Sequence, residues 1–93
     1  MAALLFLRKG ERMTAFETLL CLQDYPLEVK KDLNGQIMVH YRSCEVKNGI
    51  FLIGVSGRAD TFNEACEDYL SQIRWKTLVF NAYRDSRKEV TVL

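Results

Sequence analysis

The side chains with the greatest chemical reach in this chain are a single histidine, His40, and three cysteines, Cys21, Cys44 and Cys66. An imidazole beside a thiol can activate it as a nucleophile, and such partners meet in space, not in sequence. Here the cysteines are odd in number and follow no CxxC spacing, so three reduced thiols in a cytosolic protein are expected. His40 falls in the middle of a strand-like run, where a partly exposed structural histidine is the ordinary case. With one histidine, no metal site is expected, and no cofactor motif is present. Glu67 and Asp68 are neighbours on the polar side of a helix, which reads as a solvated face and not as a carboxylate pair. No Gly-rich phosphate loop, HExxH or nucleophile-elbow motif occurs. The chain is therefore read as non-enzymatic, with no catalytic residues.

A second constellation lies toward the C-terminus. Arg74, Trp75, Lys76, Tyr83, Arg84, Arg87 and Lys88 interleave cations with two aromatic rings. Cations that track phosphates and rings that stack on bases are how single strands are held without sequence preference. A single-stranded nucleic-acid site is one reading of this patch. In the other, Trp75 caps the core, Tyr83 buttresses a loop, and the cations extend into water. Asp85 and Glu89 dilute the positive charge, and the second reading is preferred.

The elements that must position these groups are marked by turn and cap chemistry. Asn34-Gly35 and Asn48-Gly49 suit type I′ turns, in which both central residues take positive φ. They divide Leu27 to Leu33, Ile37 to Cys44 and Ile50 to Val55 into three strands of an antiparallel meander. The first two alternate apolar and polar residues, as half-buried strands do. Ile50-Phe51-Leu52-Ile53 is apolar on both faces, which suggests cover by another protein chain or by the N-terminal segment. Ser56 to Asp60 reads as a polar turn. Thr14 with Glu17, and Thr61 with Glu64, have capping-box spacing. The first predicts a short helix that Pro26 must end. The second opens a helix from Thr61 to Trp75, with Phe62, Ala65, Cys66, Tyr69, Leu70 and Ile73 on one apolar stripe. A strand at Thr77 to Phe80, a loop from Asn81 to Lys88 and an edge strand at Val90, Thr91 and Val92 complete the chain. This terminal strand is the predicted self-association edge, because an unprotected sheet edge recruits a partner.

Ninety-three residues make one small α+β domain. A net charge of +1 gives no strong field for nucleic acid or membrane, and the 48% hydrophobic fraction is ordinary for a soluble protein. Ala2 to Leu7 is apolar, but it is too short for a signal-peptide core and its basic residues follow the run instead of preceding it. Lys9-Gly10-Glu11-Arg12 could be encoded by a purine-rich stretch like a bacterial ribosome-binding site. Residues 1–12 are accordingly expected to be a translated leader, with Met13 as the natural start, or else a flexible N-terminal segment; a single domain covers residues 13–93.

Three resemblances accompany these readings. The order helix, three-strand meander, helix resembles the double-stranded-RNA-binding fold. That likeness implies basic residues at the start of the second helix, where this chain has Thr61-Phe62-Asn63-Glu64. The run NGIFLIGVSGRADTFNEACEDYLSQI resembles the strand-turn-helix core of HicB-type antitoxin domains, particularly Asp60-Thr61 leading into Glu64-Ala65. TFNEACEDYLSQIRWKTLVFNAYRDSRKEVTVL is similar to the C-terminal half of small proteins encoded by phages and prophages of Gram-positive bacteria. In these the helix, the KTLVFNA strand and the RKE segment recur together, with Gly where Trp75 stands here.

The last resemblance implies a phage or prophage accessory protein in the bacterial cytoplasm. With the apolar run and the terminal strand, it leads to a function through protein contacts, as a homo-oligomer or with another protein. A single-stranded nucleic-acid binder and an inhibitor of a host defence or toxin protein are the alternatives. Mass spectrometry of the natively expressed product is expected to show a chain beginning at Met13; a mass that includes Met1 would remove the leader hypothesis.

Overall fold

A computed structural model describes residues 13–22 and 25–92, so the expected leader lies outside the described residues. The elements are α1 (Ala15–Leu22), β1 (Leu27–Lys31), β2 (Ile37–Tyr41), β3 (Cys44–Asn48), β4 (Phe51–Ile53), β5 (Gly57–Ala59), α2 (Phe62–Ile73), β6 (Thr77–Phe80) and β7 (Lys88–Thr91). The α+β class, the antiparallel pairing, the short first helix, the capped second helix and the C-terminal strands agree with the sequence reading. The strands are shared between two sheets, of order β1-β2-β5 and β4-β3-β6-β7.

The division comes from a break inside the expected strand Ile37 to Cys44. At Arg42-Ser43 the chain bends, Ser43 takes φ 53°, and the backbone passes from one sheet into the other. Val39 and Tyr41 are buried before the bend, and Val46 is buried after it. The inward positions thus change from odd to even numbers, which a two-residue bend permits and a continuous strand does not. Ser56 to Asp60 also differs from expectation, because Gly57–Ala59 adds to β2 as an edge strand.

Both Asn-Gly pairs make hairpins, with turn geometries other than type I′. In the first, Gly35 N–H donates to Asp32 O at 3.0 Å, and Asp32 N–H donates to Gln36 O at 2.9 Å. Of the loop residues Leu33, Asn34 and Gly35, Gly35 alone has positive φ, at 81°. This is a three-residue loop with its left-handed residue last, supported by Asp32 Oδ1 accepting from the Asn34 and Gln36 amides. In the second, Asn48 still pairs with Phe51, so the loop is Gly49-Ile50. Gly49 carries φ 63°, as the first position of a type II′ turn requires.

Both helices start at their predicted caps. Thr14 and Glu17 exchange bonds of 2.9 and 3.1 Å between side chains and backbone amides. At α2, Thr61 Oγ1 accepts from the Glu64 amide at 3.2 Å. Its hydroxyl donates to Glu64 Oε1 at 2.8 Å, so here the carboxylate meets the cap hydroxyl and not the cap amide. α2 stops at Ile73, and Trp75 follows in the left-handed region at φ 65°, the conformation glycine usually supplies after a helix. α1 packs beside α2 through an edge-on contact of Phe16 with Phe62, on the same side of the sheet as α2.

α2 lies directly on β5 and β2. Gly57 makes that approach possible: a Cβ there would stand 2.5 Å from the Tyr69 amide nitrogen and collide with Ala65 O. From its polar edge the helix also holds β5 and the residue before it. Gln72 Nε2 donates to Ser56 O at 2.8 Å, and Asp68 Oδ2 accepts from the Arg58 amide at 2.9 Å.

Two buried tyrosines join these parts. The Tyr41 amide donates to the Tyr69 hydroxyl at 3.1 Å, and the Tyr41 hydroxyl donates to Leu19 O in α1. Their rings meet edge-on at 5.7 Å, and Phe80 of the second sheet packs against Tyr41 at 5.6 Å. Pairing with β5 ends at Val39–Gly57, so the Tyr41 amide lies beyond its reach and the Tyr69 hydroxyl takes it instead. Tyr69→Phe keeps the packing and orphans that buried amide. Urea unfolding is expected to show a loss of about 1–3 kcal/mol; a loss below about 0.5 kcal/mol would show that water or a shifted backbone replaces the bond.

Candidate functional site

Four groups of residues were candidates for chemistry, and the fold treats them differently. His40, at the end of β2, and Cys44, at the start of β3, both line a depression of about 320 Å³ at the bend between the sheets, with Ser43, Glu45, Asn81 and Arg84. Their polar atoms are otherwise engaged. His40 Nδ1 lies 2.8 Å from Tyr41 O, and Nε2 lies 3.7 Å from Glu28 Oε2. The Cys44 thiol donates to Glu45 O at 3.8 Å. Burial pushes that thiol up to about 11, against the smaller opposing effect of the Tyr69 hydroxyl. It is protonated at neutral pH and lacks the thiolate a nucleophile needs. Cys66 is buried on the inner face of α2, and burial raises its thiol as well. Among the described residues, no three His, Cys, Asp or Glu side chains cluster as a metal would require.

The cation and aromatic patch is split in two. Arg74, Trp75 and Lys76 precede β6, whereas Tyr83, Arg84, Arg87 and Lys88 follow it, so the strand's roughly 13 Å length separates them. Arg74 borders a hollow between α1 and α2 with Met13, Thr18 and Glu67. Tyr83 and Arg84 border the depression beside His40. Arg87 pairs with Glu89 at 2.8 Å, and Lys88 sits 5.8 Å from the Tyr25 ring centre. Glu89 also binds Lys47 at 3.0 Å, a bridge from β7 to β3 that crosses the strand carrying Val79. Hydrogen bonds from Arg87 and then Lys47 hold the Glu89 carboxyl below the usual carboxylate range. Among these cations, Arg87 and Lys88 thus already have partners within the fold.

The predicted self-association strand is an edge of its sheet, and much of it is engaged. Val92 is buried in the core, its amide donates to Lys76 O at 2.8 Å, and its carbonyl accepts from the Trp75 amide at 2.7 Å. Val90 is half-buried on the core cluster, and Thr91 shares a hydroxyl contact with Thr77 at 3.2 Å. Lys88 and Glu89 place charges on the same strand.

At the opposite edge of that sheet, β4 carries no charge and, among the described residues, pairs only with β3. Ile50 is 92% exposed, Phe51 68% and Ile53 41%. Val46 pairs with Ile53 on one side and Leu78 on the other, so Ile53 and Phe51 continue the core face of the sheet past the end of its cover. Asn48 and Phe51 close the hairpin and bond to one another. Leu52, next along, therefore turns its N–H and C=O outward from the sheet. Beside this edge is a hollow of about 230 Å³ floored by Val46, Ile53 and Val55 and walled by Lys47, Asn48, Gln72 and Lys76. The doubly apolar run had signalled a covered strand in the sequence. Its place at an edge, with a hollow between strand and helix, follows only from β3 pairing with both β4 and β6.

Comparison with protein-family models, curated proteins and solved structures finds no match. No helix among the described residues is long and apolar enough to cross a membrane.

The Cys44 environment has a direct chemical consequence. At pH 8 the native Cys44 thiol is expected to react with iodoacetamide about a hundredfold more slowly than in urea, followed on the Cys44 peptide by mass spectrometry. Equal rates in the two conditions would show that the fold does not suppress the thiol, and a faster native rate would place a reactive thiolate in the depression.

Proposed function

We infer that this protein is a non-enzymatic protein-contact module and that β4 is its contact edge. One observation carries the reading: an uncharged edge strand with Ile50, Phe51 and Ile53 exposed side by side. Sheet edges are normally blunted by charge, proline or cover, because open backbone groups recruit other strands. The other edge of the same sheet bears Lys88 and Glu89, and the β1 edge bears Glu28, Lys30 and Lys31. Among the described residues, β4 has none of these protections. An extended segment laid along it would take up the Leu52 backbone groups and cover the apolar side chains, the recognition mode known as strand addition.

The phage or prophage setting, and with it a cytoplasmic location in a Gram-positive host, is supported by the likeness over Thr61 to Leu93. Inhibition of a host defence or toxin protein is a second reading, in which that protein supplies the segment that β4 meets. A nucleic-acid role is less well supported, because the cations that would track a phosphate chain are divided between the two ends of β6.

A photo-crosslinking residue at position 51, in place of Phe51, tests the reading in the producing cell. It is expected to give a discrete protein adduct, with none from the same residue at Lys31 on the β1 edge. No adduct at either position, or equal adducts at both, would remove β4 as the contact edge.

A further inference from the structure

The two Asn-Gly pairs are one dipeptide in two settings, and the chemistry open to them differs. An asparagine followed by glycine can modify itself, because the unhindered glycine nitrogen reaches the side-chain amide carbon. At Asn34-Gly35 that nitrogen is engaged: Gly35 N–H donates to Asp32 O at 3.0 Å, while Asp32 Oδ1 accepts from the Asn34 amide at 2.8 Å. This loop closes a ladder of five residue pairs between β1 and β2. At Asn48-Gly49 the glycine nitrogen is the first central position of the turn, and among the described residues its N–H makes no hydrogen bond. Three residue pairs hold this hairpin, and among the described residues β4 has no neighbour besides β3. Asn48 must turn its carbonyl away from Phe51 to bring the Gly49 nitrogen onto its side chain. A short ladder at an exposed sheet edge opens more readily than a longer one, and Asn48 and Gly49 are both exposed.

We propose that Asn48 is a self-modification site, deamidated by the Gly49 nitrogen and water, and that the first turn protects Asn34 from the same reaction. The Gly49 nitrogen bonds to Asn48 Cγ, and the side-chain NH2 leaves with the Gly49 proton as ammonia. Water then opens the cyclic imide, returning a hydrogen to the nitrogen and leaving a carboxyl group that ionises at neutral pH. Opening at the side-chain carbonyl gives aspartate. Opening at the main-chain carbonyl gives isoaspartate, with the chain routed through Cβ and one atom longer. Either product puts a negative charge at the position paired with Phe51. The hollow that Asn48 borders has Lys47 and Lys76 and no acid in its lining, so the new charge meets no like neighbour there. Charge is the protection that β4 lacks and the other edges carry. On the reading that β4 is the contact edge, the modification slowly closes that edge to partners.

The test incubates the full chain at pH 8, in buffer and in urea, and follows the Asn34 and Asn48 peptides by mass spectrometry. In buffer the Asn48 peptide is expected to convert about tenfold faster, the weight of roughly one hydrogen bond on the attacking nitrogen. In urea the two are expected to convert at similar rates. Equal conversion in buffer, or faster conversion at Asn34, would overturn the assignment, as would an Asn48 that stays intact in buffer while urea converts it. The effect on the edge is read separately, with Asn48→Asp placed in the chain that carries the photo-crosslinking residue at position 51. That variant, with its fold checked by thermal melt, is expected to lose most of the adduct. An undiminished adduct would overturn the closing of the edge and leave the chemistry standing. Absence of any adduct from the chain with Asn48 intact would instead remove the contact edge, while the conversion rates still decide the modification site.

Discussion

The fold turns on one buried backbone amide. Tyr41 ends β2 where β5 no longer reaches, just before the chain leaves for the second sheet. An amide left without a partner there would carry a desolvation penalty comparable to that of any other orphaned donor. The Tyr69 hydroxyl meets it, and the consequences run outward from that contact. α2 must lie close enough to deliver the hydroxyl, which requires a bare backbone at Gly57. The Tyr41 ring must point inward, which brings its own hydroxyl to Leu19 O and ties α1 to the same point. Burial pushes both tyrosines up, so they stay neutral throughout the physiological range and act as fixed hydrogen-bond partners.

Caps and hairpins were legible in the sequence because they are local. Thr14 with Glu17 and Thr61 with Glu64 announce helix starts through spacing alone, and both glycines of the Asn-Gly pairs adopt the positive φ expected of them. Turn type was less legible, since Asp32 and the Asn48–Phe51 pairing choose the loop length from outside the dipeptide. The split of the second strand left a mark that a simple alternation pattern passes over: the inward residues Val39, Tyr41 and Val46 change parity across Arg42-Ser43. β5 left almost none. Gly57-Arg58-Ala59 has little intrinsic strand preference, and it forms an edge because a helix made later in the chain lies on it.

The same distinction governs the candidate sites. Trp75 and Tyr83 are close in sequence, but a strand intervenes, so a patch that looks dense along the chain is sparse in space. The apolar run at Ile50 to Ile53 was visible at once, yet its meaning depended on which strand flanked it. β3 has β4 on one side and β6 on the other, and this long-range pairing leaves β4 as the edge. Hydrophobic pattern reports that a surface is to be covered; topology decides what remains to cover it.

The centre of the second sheet sets the order in which its two sides close. β3 meets β4 through a two-residue turn, whereas β6, the other neighbour of β3, lies beyond α2 in the chain. The local pairing costs less loop-closure entropy than the long-range one. A chain that has made the hairpin but not yet docked β6 has two open sides instead of one, and β6 closes the side away from β4. Such a chain is bivalent. The rate at which β6 docks, and not only the stability of the finished fold, then governs how many chains reach their final shape before meeting a neighbour.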